Sequence, residues 1–272
     1  MTDFSKTVTR RNALNASAAL ALVSFAGVAE SQEDALADKR PDIRSLQSGD
    51  FLWPKRPGEF VPYNSGTSSQ YDEEKIRWQD EKRVFIAHIR SDPNSTFEMR
   101  QYATDLDFME FSDFLTLYQA DQSPASPREY GGGTSVLYVG HVGIVAFEGN
   151  TPTVIEAVWG KGVQQVSYES WLKGRPGAWI WHSRLSNQPM ERAKIADAAR
   201  KYLGKPYNFW NFDLSDSTGF YCSKLCWLST RDATGVAIDD NVNPRRGFWF
   251  SPKQMLKARR IDKLFSPGSY IF

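Results

Sequence analysis

Strand patterns and helix patterns both occur in this chain, which predicts a fold that combines a sheet with helices. Residues 136–147 are strongly β-like, and Gly149-Asn150 is a two-residue hairpin signal before a second β-like run at residues 153–159. Residues 192–203 instead repeat apolar side chains at helical spacing. The chain is therefore expected to contain an antiparallel hairpin and at least one amphipathic helix.

The overall composition is that of an ordinary globular protein. The chain has 272 residues, enough for one large domain or two small ones, and 14% of its residues are aromatic, which is high. Its formal net charge is +1. This balanced charge gives no electrostatic basis for binding nucleic acid, so nucleic acid is not expected as a partner.

The first 29 residues are typical of an export signal. Arg10 and Arg11 form a twin-arginine pair, and the short apolar stretch at residues 16–28 ends in small residues suited to cleavage. The alternative, an uncleaved anchor, is disfavoured because a spanning helix needs about 20 apolar residues. The sequence predicts an export signal at residues 1–29, a linker at residues 30–44, and a periplasmic or secreted protein whose mature chain does not span a membrane.

Residues 45–272 form the predicted folded domain, and a helical insertion interrupts it. Residues 71–90 carry a helical apolar stripe, and a second helix is predicted from the N-cap Thr96 to about Gln119. These two helices predict an insertion at about residues 66–130. Acidic residues cluster in the middle of the second helix, at Asp105, Asp107, Glu110 and Asp113. Their spacing matches no metal-binding loop, so a solvated helix face is expected, and neither a metal nor another cofactor is predicted.

The rest of the chain predicts further strands, a long aromatic loop and two helices. The predicted elements are, in order, strands at residues 162–166 and 178–184, the amphipathic helix ended by Gly204, an aromatic loop at residues 205–219, a helix that starts at Cys222 and a short final helix capped by Ser251-Pro252.

A cysteine and a histidine form the candidate catalytic pair. Cys222 begins a helix, where backbone N–H groups and the helix dipole favour the thiolate, the nucleophilic form. His141 lies on an apolar strand and is the candidate base. If Gly149 and Asn150 form the hairpin loop, Glu156 shares a face with His141 and lies diagonally from it, ~7–8 Å away at Cα. If Glu148 and Gly149 form the loop instead, the two residues lie directly opposite each other. A carboxylate there can hold one imidazole nitrogen while the other nitrogen faces the thiol.

Each of these three residues also has a structural alternative. Cys222 can belong to an apolar helical stripe, His141 can be a satisfied core histidine, and Glu156 can face solvent. His88 and His182 are the other candidate bases and are expected to be structural. The residues alone leave the catalytic and the structural interpretations open.

The second cysteine is expected to be structural, whereas two tyrosines are candidates for binding substrate. Cys226 lies one helical turn after Cys222, and a bridge between them would close a trivial loop, so Cys226 is expected to be a buried apolar group. Tyr207 and Tyr221 flank the aromatic loop. They either line a cleft and bind substrate or belong to an aromatic core.

Five short motifs carry a resemblance to a known family. They are Gly49–Leu52, Gly140–Val145, Val154–Ala157, Gly204–Tyr207 and Phe220–Leu225. In this order they resemble the YiiX-like branch of the NlpC-type papain-like superfamily, a circularly permuted branch in which the histidine precedes the cysteine. The resemblance covers about residues 45–265, apart from the helical insertion.

The resemblance implies an α+β papain-like fold, in which a central antiparallel sheet packs against helices and the cysteine begins a helix. It implies that Cys222 is the nucleophile, His141 the base and Glu156 the third polar residue of a triad. Members of the family are amidase- or peptidase-like hydrolases, with cell-wall peptides or lipids proposed as substrates. Related permuted enzymes transfer acyl chains.

The expected function is therefore that of an exported cysteine amidase or peptidase acting on cell-wall-derived peptides. One alternative keeps the triad but takes a lipid acyl ester or amide, as a hydrolase or an acyltransferase. A second alternative is a non-enzymatic module that binds a lipid or a peptide. The sequence leaves the oligomeric state open.

Overall fold

The structure is a computed structural model that describes residues 39–55, 68–114, 140–186, 189–246 and 249–268. The predicted export signal lies outside these ranges, as do residues 30–38 of the predicted linker. Within the described ranges, no helix combines the length and the apolar character that crossing a membrane requires. Export, cleavage of the signal and the limits of the domain stay predictions.

One antiparallel sheet of six strands organises the described residues. Its strands are β1 (Phe51–Lys55), β2 (Gly143–Glu148), β3 (Thr151–Val158), β4 (Gly162–Ser167), β5 (Trp179–Leu185) and β6 (Ile261–Phe265). Their order across the sheet is β4-β3-β2-β1-β5-β6. Strand β1 therefore joins the meander of β2, β3 and β4 to the pair formed by β5 and β6.

Six α-helices with described bounds accompany the sheet, and some of them pack directly on it. They are α1 (Ser68–Ser91), α2 (Phe97–Phe108), α3 (Tyr168–Lys173), α4 (Pro189–Arg200), α5 (Cys222–Thr234) and α6 (Pro252–Lys257). Helices α4 and α5 pack against each other, and both contact β2 and β3. The predicted final helix is confirmed, since Ser251 forms a capping box at the start of α6.

The hairpin of β2 and β3 has the predicted register. Glu148 pairs with Thr151 across a two-residue turn, as the sequence predicted. The predicted strand around His141 is wrong in one respect, because β2 begins only at Gly143 and His141 precedes it. Gly140 has a φ of 88°, a conformation that favours glycine, and this sharp turn leads the chain through His141 into the strand.

Apolar side chains fill both faces of the sheet. Ile155 of β3 belongs to the large core formed with α4 and α5. Its neighbour Val154 packs with Trp171 of α3 on the opposite face. Because side chains alternate along a strand, Glu156 projects to the same side as Val154, towards α3.

The predicted helical insertion contains α1, α2 and the helical residues 111–114. Thr96 caps α2 as predicted, because its side chain accepts a hydrogen bond from the backbone N–H of Met99. The helix ends at Phe108 rather than near Gln119, since Met109 is extended, with φ −73° and ψ 132°. Residues 115–119 lie outside the described ranges.

Ring contacts fix the insertion to the aromatic loop of residues 205–219. The ring of Phe85 in α1 lies 5.2 Å from that of Trp210 and 5.0 Å from that of Phe212. Phe114 stacks on Trp210 at 5.7 Å. Each such pair contributes about 0.5–1.5 kcal/mol beyond the area it buries. The insertion therefore shares a core with the loop that leads to Cys222.

Candidate active site

His141 and Glu156 are in direct contact. Nε2 of His141 lies 2.7 Å from Oε2 of Glu156, and both side chains are almost completely buried. An ionised carboxylate only accepts hydrogen bonds, so Nε2 carries the proton of this contact. The other ring nitrogen, Nδ1, is left for a second partner.

Gly143 lies where a side chain would collide with the neighbouring strand. A Cβ atom at this position would lie 2.5 Å from Cγ1 of Val154, a distance that real Cβ atoms do not show, and 3.6 Å from Cβ of Glu156, an ordinary contact. Any larger residue would therefore have to displace Val154, two positions before Glu156 in β3.

Glu156 accepts four hydrogen bonds although it is only 1% exposed. Besides His141, the donors are Trp171 Nε1 at 2.7 Å and Arg175 Nη2 at 2.8 Å, both to Oε2, and Gln164 Nε2 at 3.0 Å to Oε1. Burial by itself raises the pKa of Glu156, but the contacts with His141 and Arg175 outweigh it and lower the pKa to about 2. The carboxylate is therefore ionised at neutral pH and fixes the orientation of the imidazole.

Cys222 is the first residue of α5, and its thiol is free and buried. The N–H groups of the first helical turn and the helix dipole favour a negative charge at this point. The preceding residue, Tyr221, does not cap the turn with its side chain, because its hydroxyl accepts a hydrogen bond from the backbone N–H of Phe250. Cys226 is also free and buried, and burial raises its pKa well above the usual value, so its thiol stays protonated.

His141 also interacts with Cys222. Burial by itself lowers the pKa of His141, but a hydrogen bond with the Cys222 side chain and the contact with Glu156 outweigh it and raise the pKa to about 9. The structure thus brings together the three residues of the predicted triad, with His141 between the thiol and the carboxylate. Two cations, the imidazolium of His141 and the guanidinium of Arg175, therefore contact the buried carboxylate of Glu156. A buried charge requires partners of this kind.

The two tyrosines predicted to bind substrate occupy different environments. Tyr207 borders a cavity, and its ring lies 5.4 Å from that of Trp159. Burial, and after it the charge of Cys222, raises the pKa of Tyr207 well above its usual value, so the hydroxyl is neutral. Tyr221 is fully buried, which matches the alternative in which it belongs to the aromatic core. Contact of either tyrosine with a substrate stays a prediction.

Sequence reasoning missed the donors that hold Glu156. Trp171 lies in α3 and Arg175 in the turn after it, 15 and 19 residues beyond Glu156. No local motif relates these positions to the carboxylate. The signal that was available is the alternation of β3, which turns Glu156 towards α3.

A second buried pair of histidine and carboxylate lies elsewhere in the sheet. Nε2 of His182 is 2.7 Å from Oδ2 of Asp50, and Arg184 Nε donates to Oδ1 at 2.7 Å. Burial raises the pKa of Asp50, but the hydrogen bonds from Arg184 and His182 outweigh it and lower the pKa. The pair joins β5 to the turn before β1, a structural role of the kind expected for His182. His88 is exposed on α1.

Lys224 is a buried cation next to the candidate nucleophile, two residues along α5. Its Nζ donates to the backbone carbonyl of Asn211 at 3.2 Å, which ties α5 to the aromatic loop. Burial lowers the pKa of Lys224 to about 7, although the charges of Asp216 and Asp213 oppose the shift. Sequence reasoning gave no sign of this burial.

The acidic residues of the insertion form no metal site in the described part of the chain. Across the described ranges, no group of three or more His, Cys, Asp or Glu residues is placed to hold a metal ion. Asp107 instead forms an exposed ion pair with Arg90 at 2.8 Å.

Known proteins resemble the second half of the chain. Residues 134–253 match the family described as permuted papain-like amidase enzyme, YaeF/YiiX, C92 family. The uncharacterized protein YiiX of Escherichia coli (strain K12) is 28% identical over 121 residues, which are 44% of this chain and 58% of the length of that relative. A solved structure titled as the metalloprotein yiiX from Escherichia coli O157:H7 has a TM-score of 0.39 and 21% identity, and covers 46% of this chain and 81% of that one. Cys222, His141 and Glu156 lie inside the matched residues, whereas the described helices of the insertion precede them.

Proposed function

We propose that this protein is an exported cysteine amidase or peptidase that acts on cell-wall-derived peptides, because residues 134–253 match the permuted papain-like amidases of the YaeF/YiiX, C92 family. The family assignment confirms the predicted YiiX-like resemblance. Together with the antiparallel sheet it also confirms the predicted α+β, permuted papain-like fold. The kind of enzyme, a papain-like amidase or peptidase, follows from the family. What we propose beyond the family is that Cys222 is the nucleophile, that the substrate is a cell-wall-derived peptide and that the protein is exported.

One observation carries the proposal: the imidazole of His141 is held between a free thiol and an ionised carboxylate. Nε2 is fixed by Glu156 at 2.7 Å, and the remaining interaction of the ring is with Cys222. A nucleophile, a base within reach and a third group that orients the base form the arrangement needed for covalent catalysis.

The geometry supports the following reaction sequence. The thiolate of Cys222 attacks the carbonyl carbon of an amide, and the carbonyl π electrons move to the oxygen. When the tetrahedral intermediate collapses, the C–N bond breaks, and His141 gives its Nδ1 proton to the departing amine, which leaves a thioester on Cys222. A water molecule then attacks the thioester carbon while His141 takes a proton from it. The C–S bond breaks, and the carboxylic acid is released together with the thiolate of Cys222 and the imidazolium of His141.

The first turn of α5 supplies the candidate oxyanion site. Cys222 is the first residue of the helix, so N–H groups of this turn point towards the space beside its sulfur. Donors of this kind stabilise a developing negative charge, and the loss of one donor typically costs about 10²–10³ in rate. A neutral Tyr207 nearby can also donate a hydrogen bond to substrate.

A lipid substrate is the second candidate, and the aromatic loop favours it. Phe209 and Trp210 border the cavity next to Tyr207, and rings of this kind also suit an acyl chain. The same thiol chemistry would then cleave or transfer an acyl group. A protein that keeps the fold but only binds a lipid or a peptide is the remaining alternative.

Labelling with a thiol reagent tests the catalytic assignment. We expect iodoacetamide to alkylate Cys222 much faster than Cys226, because only Cys222 has a base beside it. His141→Ala should slow the labelling of Cys222, while His88→Ala, a change at an exposed histidine of α1, should not. Equal and slow labelling of both cysteines in the wild-type protein would refute the enzyme assignment.

Incubation with candidate substrates tests the specificity. Muropeptides and phospholipids are treated with the wild-type protein and with Cys222→Ala, and the products are identified by mass spectrometry. New peptide fragments that require Cys222 support the proposal, and lyso-lipids or transferred acyl chains favour the lipid alternative. If neither substrate is converted although both bind, the protein is a binding module.

Replacement of the arginine pair tests export. In cells, Arg10→Lys combined with Arg11→Lys should leave the protein in the cytoplasm if a twin-arginine signal directs it. Unchanged recovery from the periplasm would contradict this part of the proposal.

A further inference from the structure

A cavity of about 480 Å³ lies between α1 and the aromatic loop. Asp80, Glu81 and Phe85 of α1 form one wall, and the loop from Tyr207 to Thr218 forms the other, with Trp159 at the edge. A volume of this size accommodates a small organic group. The cavity therefore combines the insertion with the segment that leads directly to the candidate nucleophile.

The lining of the cavity is acidic and aromatic. Three carboxylates, those of Asp80, Glu81 and Asp216, line it together with several aromatic rings, and Asp80 also pairs with the exposed Arg83. Among the described residues that line it, none is a lysine or an arginine, and the one basic group is the imidazole of His88. Carboxylates beside ring faces favour a positively charged ligand, since both attract a cation.

Two of these carboxylates are held in place by the loop. Oε2 of Glu81 accepts a hydrogen bond from Trp210 Nε1 at 2.7 Å. Asp216 accepts hydrogen bonds from the backbone N–H and the hydroxyl of Thr218 and from Asn211 Nδ2, at 2.8, 2.9 and 3.0 Å. Burial raises the pKa of Asp216, but these hydrogen bonds outweigh it and lower the pKa, so the group is anionic at neutral pH.

One of the rings already binds a cation of the protein itself. The guanidinium carbon of Arg77 lies 4.2 Å from the ring centroid of Trp159. This distance is well within the ~6 Å over which a cation is attracted by a ring face. Arg77 also lies 3.9 Å from Oε1 of Glu81, so a cation of the protein already contacts both a ring and a carboxylate of the cavity.

Tyr207 connects the cavity to the candidate nucleophile. It lines the cavity, and its backbone forms a β-bridge with Phe220, two residues before Cys222. Tyr207 therefore belongs both to the wall of the cavity and to the segment that positions the nucleophile. A substrate whose scissile carbonyl is at Cys222 would extend past Tyr207 into the cavity.

We propose that this cavity is a substrate subsite that selects a positively charged nitrogen group, carried on an apolar frame, close to the bond that Cys222 attacks. The inference rests on the proposed function, because it places the reacting carbonyl at Cys222. The charged nitrogen can belong to a peptide amine or to the headgroup of a lipid, and both present the same chemistry to the carboxylates and rings.

Three matched covalent probes test the subsite. They share one short acyl frame with a thiol-reactive acyloxymethyl ketone, and they differ only in bearing a primary ammonium, a trimethylammonium or a neutral N-acetyl group. We expect both cationic probes to inactivate Cys222 at least about tenfold faster than the neutral probe, a factor that corresponds to 1.4 kcal/mol. A faster primary ammonium indicates a peptide amine, whereas a faster trimethylammonium indicates a choline-type headgroup.

Two conservative variants assign the preference to the cavity. Glu81→Gln keeps the oxygen that accepts from Trp210, and Asp216→Asn keeps one of the two oxygens that accept from Thr218 and Asn211. Both variants remove the charge, and each should reduce the ratio of cationic to neutral labelling several-fold. Glu73→Gln, at an exposed position of the same helix, is the matched control and should preserve the ratio. Equal rates for the cationic and neutral probes in the wild-type protein would overturn the inference.

A binding measurement separates this inference from the proposed function. Calorimetric titration of the full chain with phenethylammonium, and with the neutral phenethyl alcohol, reads the subsite without any reaction at Cys222. Tighter binding of the ammonium than of the alcohol, with this difference lost in Glu81→Gln, supports the subsite. A lack of selective labelling at Cys222 would then refute the proposed function and leave the subsite standing. Equal binding of the two ligands overturns the subsite even if Cys222 proves to be the nucleophile.

Discussion

Replacing Glu156 by glutamine isolates the charge of the carboxylate from its hydrogen bonds. Oε2 accepts from His141, Trp171 and Arg175, so three donors hold a glutamine carbonyl in that place. The amide NH₂ then faces Gln164, whose own amide turns to present its oxygen. Because the contacts are kept in Glu156→Gln, the loss of negative charge is the main change.

The magnitude follows from the pKa of His141. This pKa is raised from 6.5 to about 9, and Cys222 contributes more to the rise than Glu156 does. A fall of the pKa by one unit on loss of the carboxylate would correspond to about 1.4 kcal/mol. We expect alkylation of Cys222 by iodoacetamide at pH 7 to slow by up to about tenfold, because the ion pair of Cys222 and His141 becomes less populated.

The assay is the rate of alkylation as a function of pH. In the wild-type protein the rate should change around pH 9, where His141 loses its proton, and in Glu156→Gln this transition should move down by about one unit. Glu148→Gln is the matched control, since this exposed carboxylate of the same hairpin bonds only to Gln165 among the described contacts. A transition that stays near pH 9 in folded Glu156→Gln would refute the reasoning.

The same variant has a predicted stability profile. The raised pKa of His141 stabilises the fold fully below about pH 6.5, and this contribution is lost as the pH rises through about 9. The lowered pKa of Glu156 stabilises the fold above about pH 4.5, and this contribution is lost as the pH falls through about 2. In urea titrations, Glu156→Gln should lose about 3 kcal/mol between these limits, because Arg175 is left without its carboxylate. A variant as stable as the wild type at pH 5.5 would contradict this expectation.

Three further changes test other parts of the site. Cys222→Ala should lower the pKa of His141, as measured from its imidazole NMR signals. An unchanged pKa would show that the two side chains do not interact. Gly143→Ala should cost about 1–3 kcal/mol in urea unfolding, because the new methyl group overlaps a neighbouring side chain, whereas Gly174→Ala, whose Cβ meets only ordinary contacts, should cost less. Lys224→Met should stabilise the fold by about 2–4 kcal/mol at pH 6 and by less at pH 9.5. The reason is that the buried lysine, whose pKa is lowered to about 7, destabilises the fold most where it is protonated. A stabilisation that does not change with pH would show that it does not come from removing the charge.

The hairpin was the most informative part of the sequence, because its turn fixed the register and so placed Glu156 near His141. A two-residue turn between β-like runs leaves few registers open, and the alternation of a strand then fixes which side chains share a face. The start of β2 after His141 was not predictable, since a glycine with positive φ interrupts an otherwise continuous β-like run. The donors Trp171 and Arg175 were not predictable either, because only the packing of α3 on the sheet brings them to the carboxylate.

The chemistry and part of the proposed selectivity are carried by different parts of the chain. The thiol, the imidazole and the carboxylate all lie in the residues that match the permuted papain-like amidases. Two of the three carboxylates that line the cavity, those of Asp80 and Glu81, come from α1, which precedes the match, whereas Asp216 lies within it. Phe85 of α1 packs directly on Trp210 of the loop that carries Tyr207. The insertion is therefore in a position to shape the substrate site without contributing to the triad. If this division is correct, changes in α1 alter which molecules react and leave the order of chemical steps at Cys222 as it is.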